Sequence, residues 1–205
     1  YTGEDTLSLH DALPICFPPS YRERCAFVCE PTGKLVATFE LERRGGGFRA
    51  RLSPNNLFAS ADAWTSPVCA EVGPDGAVWI CDWYDLVIQH NPAPSKRTAG
   101  MDARTGKGNA YETPHRDKQR GRIWRVFPAG SPNDRIPRMD PTDPAISLQA
   151  MSHGNLLWRL HGQRLLVERG DRDVVPKLVE LAQKGETAAP HALHTLAQLH
   201  ALPDD

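Results

Sequence analysis

The sequence of 205 residues lacks a long hydrophobic run, an excess of charge of either sign, and closely spaced cysteine pairs. No apolar stretch approaches the roughly 20 residues that a helix needs to cross a bilayer, so no segment of this chain is predicted to span a membrane. Basic side chains number 24 and acidic ones 25, which leaves no overall field to attract nucleic acid or an anionic membrane. The five cysteines form neither a Cys-x-x-Cys nor a Cys-x-x-Cys-His motif, which excludes attachment of haem c within this chain.

The amino-terminal residues lack the signals of a folded or exported segment. The chain begins with Tyr1 rather than Met, and residues 6–15 have neither the basic start nor the long apolar run of a secretory signal. They resemble a translated sequencing-adapter peptide. We therefore expect residues 1–19 to be a non-native or disordered leader on a fragment of a longer protein. That expectation removes His10 and Asp11 from the candidate site residues.

The strongest local pattern is a β-hairpin. Two runs of β-branched and aromatic residues, Pro67–Val72 and 77–81, flank Gly-Pro-Asp-Gly at 73–76, which is the composition of a turn. The strands of a hairpin run in opposite directions, so the segment before the first strand and the segment after the second lie at the same end. The sequence therefore predicts that 62–64 (Asp-Ala-Trp) and 82–84 (Asp-Trp-Tyr) meet.

Short strands extend on both sides of this hairpin and predict antiparallel β structure over residues 20–128. Residues 34–42 alternate apolar with polar, which is typical of an outer strand with one wet face, whereas 77–81 are apolar throughout, as in a strand buried on both faces. Residues 86–89 and 121–127 supply a third and a fourth strand, which together make one blade of a β-propeller. Cys69 and Cys81 lie on the two hairpin strands, where a single residue of register decides whether they face each other.

Residues 91–120 form an insertion between the third and fourth strands. They are rich in Pro, Gly and basic residues, and residues 91–125 hold nine basic side chains against three acidic ones. This excess could serve an anionic substrate, a docking partner or a polynucleotide, but no aromatic side chains are interleaved with the charges. We therefore interpret the insertion as a solvated loop.

The hydrophobic period changes from 2 to 3.6 in the last third of the chain. Residues 129–143 form a proline-rich linker, and residues 144–205 predict three helices, with a fourth over 144–152. Trp158 and Leu193 fall on the predicted inward faces, and we expect Trp158 to pack against Leu178 and Leu196. Short antiparallel helices of this kind are the unit of an α-solenoid.

Several motifs in this order resemble the membrane-bound dehydrogenase family of planctomycetes and verrucomicrobia, over roughly residues 20–202. The resemblance is carried by residues 57–68, 71–84, 88–91, 116–117 and 121–126 in the β-rich part and by 155–159, 163–169 and 191–196 in the helical part. It implies the last one or two blades of a β-propeller similar to quinoprotein (glucose/sorbosone-type) sugar dehydrogenases, followed by HEAT-like repeats. The chain departs from the family by lacking an arginine that members often carry at 63–66 and by ending before their cytochrome c module.

The candidate site residues lie on the two sides of the hairpin. Asp62 and Asp82 could share a Ca²⁺ ion, or each could cap its own turn. Trp64, Trp83 and Tyr84 could stack on a sugar ring or a flat quinone, or they could be core residues.

His90 is a weaker candidate. It is the candidate general base because the pKa of His lies near neutrality. If residues 86–89 are a strand, however, it lies at the far end from Asp82.

Two functions follow from these observations. The resemblance implies an exported, periplasmic or cell-envelope oxidoreductase that would use pyrroloquinoline quinone and Ca²⁺ to oxidise a sugar or alcohol and pass electrons to haem c in a domain outside this chain. This fragment alone is then expected to be inactive. The alternative is a non-catalytic carbohydrate- or protein-binding propeller with a solenoid for docking. Neither hypothesis involves nucleic acid.

Overall fold

The computed structural model describes residues 17–22, 25–86, 88, 104–105, 111–112, 117, 119–130 and 136–202. Antiparallel sheets come first along the chain and helices follow, as predicted. The last strand ends at Val126 and the first helix begins at Pro144. Among the described residues, no helix is both long enough and apolar enough to cross a membrane. The expected leader, 1–19, lies outside the described residues except for 17–19.

The first sheet is a meander of three strands with a short addition. Strands β1 (Cys25–Glu30), β2 (Leu35–Arg44) and β3 (Gly47–Leu52) pair in that order, and β4 (Phe58–Ala59) pairs with β2. The prediction of β2 as an outer strand was wrong, because it pairs on both sides and buries Val36, Ala37 and Thr38 in succession. The carboxyl-terminal part of β2 and the whole of β3 form a ribbon that extends into solvent, and the polar residues of β2 reflect this exposure.

The second sheet contains the predicted hairpin. Strand β5 (Pro67–Val72) pairs with β6 (Val78–Asp82), and β6 pairs antiparallel with β9 (Arg122–Val126), so that Asp82 lies opposite Arg122. The prediction of a third strand at 86–89 was wrong for the two of these residues that the structure describes, since Leu86 and Ile88 belong to no strand. Residues 122–126 take that place beside β6.

Strand β6 is also less buried than its composition suggested. Val78 and Ile80 have no exposed surface, but Trp79 is 37% exposed and Cys81 is exposed. The prediction of burial on both faces therefore fails in this structure. A short ribbon of β7 (Arg104–Thr105) and β8 (Tyr111–Glu112) interrupts the insertion that we interpreted as a loop.

The helical region contains α1 (Pro144–Ala150), α2 (Leu156–Arg169), a 3₁₀ turn (Arg172–Val174), α3 (Val175–Gln183) and α4 (Ala189–Gln198). Asp143 and Asn155 cap α1 and α2 by accepting hydrogen bonds from Ala145 N and Leu157 N, the usual role of these residue types at helix N-termini. Helices α2, α3 and α4, together with residues at the helix ends, share a core cluster: Met151, Leu166, Val174, Leu178, Leu181, Ala188, Ala192, Leu196 and Leu199.

Glycine permits the close approach of α1 and α2. A Cβ atom on Gly162 would lie 2.4 Å from the carbonyl oxygen of Ser147. That distance is below any real contact, so the crossing depends on the missing side chain.

The chain divides into two compact units. One comprises residues 24–71 and 78–126, and the other includes residues 72–77 and 127–205. The hairpin turn therefore belongs to the helical unit, where Asn155 Nδ2 donates to Gly73 O at 2.8 Å and Trp158 Nε1 donates to Pro74 O at 3.0 Å.

Two predictions about the helical core were wrong. Trp158 is buried, but it lies outside the cluster that contains Leu178 and Leu196, because its indole N–H is directed to a carbonyl group. Leu193 is 49% exposed and does not face inward.

Candidate functional site

The loop before β5 is built around Asp62. Its Oδ1 accepts a hydrogen bond from Trp64 N at 3.0 Å, and its own N–H donates to Ser60 Oγ at 3.1 Å. Its carbonyl oxygen accepts from Thr65 N at 3.0 Å. Asp62 thus caps its own turn, which is the local role that short carboxylates commonly play.

Asp82, the last residue of β6, is buried and accepts hydrogen bonds on both oxygens. Oδ1 accepts from Ser66 N at 2.7 Å and from Tyr84 N at 3.0 Å, so this carboxylate joins the segments on the two sides of the hairpin. Oδ2 accepts from Trp124 Nε1 at 3.0 Å. A buried carboxylate is tolerated only with such partners.

Arg122, the first residue of β9, connects the two aspartates. Its Nη1 donates to Asp62 Oδ2 at 3.0 Å, its Nε donates to Asp82 Oδ2 at 2.9 Å, and its Nη2 donates to Thr65 Oγ1 at 2.7 Å. The planar guanidinium presents several donors in a fixed arrangement, which suits one arginine to two carboxylates. We call Asp62, Asp82 and Arg122 the carboxylate clamp.

Aromatic rings surround the clamp. The Arg122 guanidinium carbon lies 4.2 Å from the ring centroid of Tyr84 and 5.1 Å from that of Trp124, which are cation–π distances. Tyr84 also stacks on Trp64, with centroids 5.7 Å apart and planes 27° apart. Its backbone has φ +57°, an uncommon conformation for a bulky residue, and one often seen at functional sites. Trp83 is 41% exposed.

The electrostatics keep both carboxylates ionised. The pKa of Asp62 is lowered, first by the hydrogen bond from Trp64 N and then by Arg122. Burial opposes ionisation of Asp82, but hydrogen bonds from Ser66 N, Trp124, Tyr84 N and Arg122 outweigh it and lower its pKa. The same aspartates raise the pKa of Arg122 against the effect of its burial. Arg122 is the cation that offsets the repulsion between the two carboxylates, so neither pKa is raised.

The clamp does not fit a calcium ion. All four carboxylate oxygens already accept N–H hydrogen bonds, and the guanidinium lies where a shared cation would bind. Ca²⁺ needs six to eight oxygen ligands at about 2.3–2.6 Å. In the part of the chain that the structure describes, no group of three His, Cys, Asp or Glu residues could hold a metal ion. The interpretation of Asp62 and Asp82 as calcium ligands is therefore not supported by their geometry.

The structure brings together four of the predicted site residues, Asp62, Trp64, Asp82 and Tyr84. The fifth, Trp83, is placed beside them because its N–H donates to Ser66 O at 2.9 Å. His90, the candidate general base, lies outside the described residues. Arg122 is one of the nine basic residues of 91–125, and its place in the site was not predicted.

Two signals in the sequence could have identified Arg122. Arg122 stands near the start of the strand predicted over 121–127, and the start of a strand that runs antiparallel to 77–81 lies beside Asp82. Two converging carboxylates also require a cation when no metal binds them. Trp124, two residues further on, lies on the same face because side chains alternate along a strand.

Comparison with known proteins assigns a family and no activity. Residues 15–130 match the family described as a domain of unknown function, DUF7133. No curated protein and no solved structure matches the chain.

Proposed function

Because the chain belongs to the DUF7133 family, whose description assigns no activity, we propose its function from the site: the aromatic residues around the carboxylate clamp bind a neutral, hydroxylated ligand of the sugar type. In this proposal the β-rich part is the end of a β-propeller, and the helices that follow are HEAT-like repeats that dock a partner. Pairing of β6 with a strand on each side and the succession of short helices that follows support that architecture.

The observation that carries the proposal is that the charged groups of the carboxylate clamp are already paired with one another. Arg122 bonds both aspartates, and every carboxylate oxygen accepts a backbone or side-chain N–H. A charged ligand would have to displace these bonds, and breaking a partly buried ion pair is costly. A neutral ligand does not require this.

The aromatic side chains supply what a sugar ring needs. Trp83 is 41% exposed, and its backbone is bonded to Ser66, two residues from Trp64. Amphipathic aromatic rings present an apolar face together with a polar edge, which suits the C–H face and hydroxyl rim of a sugar. The clamp holds the segments that carry both tryptophans at fixed positions.

The oxidoreductase hypothesis depends on the family resemblance described above. Pyrroloquinoline quinone is a tricarboxylate and needs cations, whereas Arg122 is already shared between two aspartates. Asp82 is kept ionised by four hydrogen bonds and is therefore a poor proton acceptor. The described residues of the clamp thus favour binding over catalysis, and we derive no reaction step from them.

Titration with neutral oligosaccharides tests the binding function. Tryptophan fluorescence and calorimetry are expected to detect saturable binding that Trp83→Ala weakens by at least about tenfold, the loss of one good aromatic contact. Trp79→Ala is the matched control, since Trp79 is similarly exposed but lies within β6, facing away from Asp82. Equal weakening in the two variants, or no binding to any neutral sugar, would contradict the proposal.

A second assay separates binding from catalysis. Because this chain alone is expected to be inactive under either hypothesis, the protein encoded by the full-length gene is mixed with pyrroloquinoline quinone, Ca²⁺ and a bound sugar, and reduction of an artificial dye is followed. The proposal predicts no dye reduction above the rate without protein. Reduction that depends on the quinone would favour the oxidoreductase, as would a longer gene that encodes a clustered His, Arg and Asp set upstream and a haem motif downstream.

A further inference from the structure

Cys69 and Cys81 face each other on neighbouring strands of the second sheet. Gly73 N donates to Ala77 O at 2.8 Å, so the ladder of β5 and β6 starts with that pair. Counted outward one residue at a time on each strand, the ladder brings Cys69 opposite Cys81. Cys81 is also among the neighbours that raise the pKa of Cys69, which agrees with this register.

The pairing meets the geometric requirement for a disulfide bond. Residues directly opposite in an antiparallel pair have Cα atoms about 4.5–5.5 Å apart. A disulfide needs Cα atoms about 4.4–6.8 Å apart. The Cα separation of this pair therefore falls in the range that a disulfide bond spans. Both cysteines are exposed, so a small oxidant can reach them.

We propose that Cys69 and Cys81 are a disulfide-forming pair that a small disulfide such as oxidised glutathione converts to a cross-strand bond. In the first step one thiolate attacks the glutathione disulfide, which forms a mixed disulfide and releases one glutathione thiolate. In the second step the other cysteine loses its proton and attacks the mixed disulfide, which releases the second glutathione. Glutathione disulfide is reduced by two electrons and the two cysteines are oxidised by two.

Cys29 is the third thiol near this pair and could compete for the disulfide bond, but its raised pKa makes it a poor nucleophile. Burial, followed by the neighbouring thiols of Cys69 and Cys81, raises the pKa of Cys29 to about 12, so it is almost entirely a protonated thiol at neutral pH. The thiolate is the form that attacks a disulfide. Although Cys69 is an exposed residue, partial desolvation of its thiol also raises its pKa, with contributions from Glu71 and Cys81. The bond between Cys69 and Cys81 is therefore expected to form slowly and to persist, unlike a rapid signalling switch.

The bond would fix the strands next to the carboxylate clamp. Cys81 directly precedes Asp82, and Cys69 lies three residues after Ser66, whose N–H donates to Asp82. Oxidation therefore holds the two segments of the clamp in register even if the backbone ladder frays. This consequence does not depend on any ligand of the aromatic residues.

Peptide mapping of the oxidised chain tests the proposal. The whole chain is incubated with oxidised glutathione in a mildly alkaline buffer, blocked with an alkylating reagent, digested without reductant and analysed by mass spectrometry. The expected product is one linked peptide pair that contains Cys69 and Cys81 and is lighter by two hydrogens than the reduced pair. The linked peptide pair is detected in the parent chain, so this measurement does not depend on whether any variant folds.

Single variants provide the control. Cys69→Ser and Cys81→Ser should each abolish the linked pair, whereas Cys25→Ser should leave it unchanged. A link from Cys29 or Cys16 to either cysteine, a product that carries glutathione only, or a link between two chains would each overturn the proposal. The proposal would also be overturned if Cys69 and Cys81 were still free thiols, labelled by the alkylating reagent, after prolonged incubation with oxidised glutathione.

Discussion

Replacing Arg122 with methionine should destabilise the second sheet far more than the loss of an ordinary surface ion pair. Methionine retains much of the apolar stem of arginine and removes the guanidinium group. The side chain of Asp82 has no exposed surface, whereas those of Asp62 and Arg122 are about one-third exposed, at 36% and 32%. Most of the cost therefore arises at Asp82, which is left as a buried carboxylate without its cation.

The size of the effect follows from the partners that remain. Removing one member of a fully buried ion pair costs about 3–5 kcal/mol. Asp82 retains the N–H groups of Ser66, Tyr84 and Trp124, and Arg122 is partly solvated, so we expect about 2–4 kcal/mol. The bond to Asp62 adds little, because water screens it.

Acid should remove the same stabilisation. The folded-state pKa values of Asp62 and Asp82 are lowered, so their contribution is fully present above the unfolded pKa of about 3.9 and is lost as the pH falls through the lower folded values. In Arg122→Met, Asp82 loses one of the groups that lower its pKa. The acid-induced loss of stability should therefore begin at a higher pH in the variant.

Denaturant unfolding followed by tryptophan fluorescence measures these changes. The matched control is Arg51→Met, which removes an ion pair with Glu40 whose side chains are 78% and 44% exposed. Its expected cost is at most about 1 kcal/mol. If Arg122→Met shifts the unfolding midpoint no more than Arg51→Met, the carboxylate clamp does not hold the sheet together, and our account of the site fails.

Three further variants test the helical unit. Gly162→Ala places a Cβ atom against Ser147 O and should cost about 1–3 kcal/mol, which thermal unfolding will measure. Asn155→Asp retains the helix cap but removes the N–H donor to Gly73 O, and should cost about 1–3 kcal/mol in denaturant unfolding. Trp158→Ala removes a buried indole and its hydrogen bond, and should cost about 3–5 kcal/mol, read from the helical signal in circular dichroism.

Each of these variants has a control elsewhere in the chain. Gly46→Ala adds a Cβ atom with nothing within 4 Å, Asp143→Asn retains an exposed cap, and Lys177→Ala removes an exposed charge. All three controls should stay within about 0.5 kcal/mol of the parent chain. A control that destabilises as much as its test variant would refute the corresponding contact.

The order of β and α structure could be predicted because it depends on local signals. The turn at 73–76 and the two runs beside it identified the hairpin, and the hairpin brought Asp62 and Asp82 to one end. The 3.6-residue period identified the helices in the last third of the chain. Each of these features involves residues that are near neighbours along the chain.

Features that depend on distant partners were missed. The strand over 121–127 was predicted in the same sheet as the hairpin, but no local period indicated that it pairs directly with β6 or that Arg122 bonds Asp82, 40 residues before it. Trp158 was assigned to the core by its place on the helix, but the indole N–H requires an acceptor, and Pro74 O supplies it 84 residues away. The period of the helix indicated that Trp158 is buried, but it could not indicate which group the indole would contact.

The pairing of β6 with β9 also has a consequence for the order of folding. Strands β5 and β6 are joined by a tight turn and can pair within microseconds, whereas β9 must first close the chain between Asp82 and Arg122. The entropy of closure grows only with the logarithm of loop length, about 0.6 kcal/mol for each doubling. The intervening stretch can therefore change greatly in length at little cost, provided that an arginine still begins the strand that returns. Docking of β9 should be the late step, so slow refolding phases are expected to respond to Arg122→Met and not to substitutions in the hairpin turn.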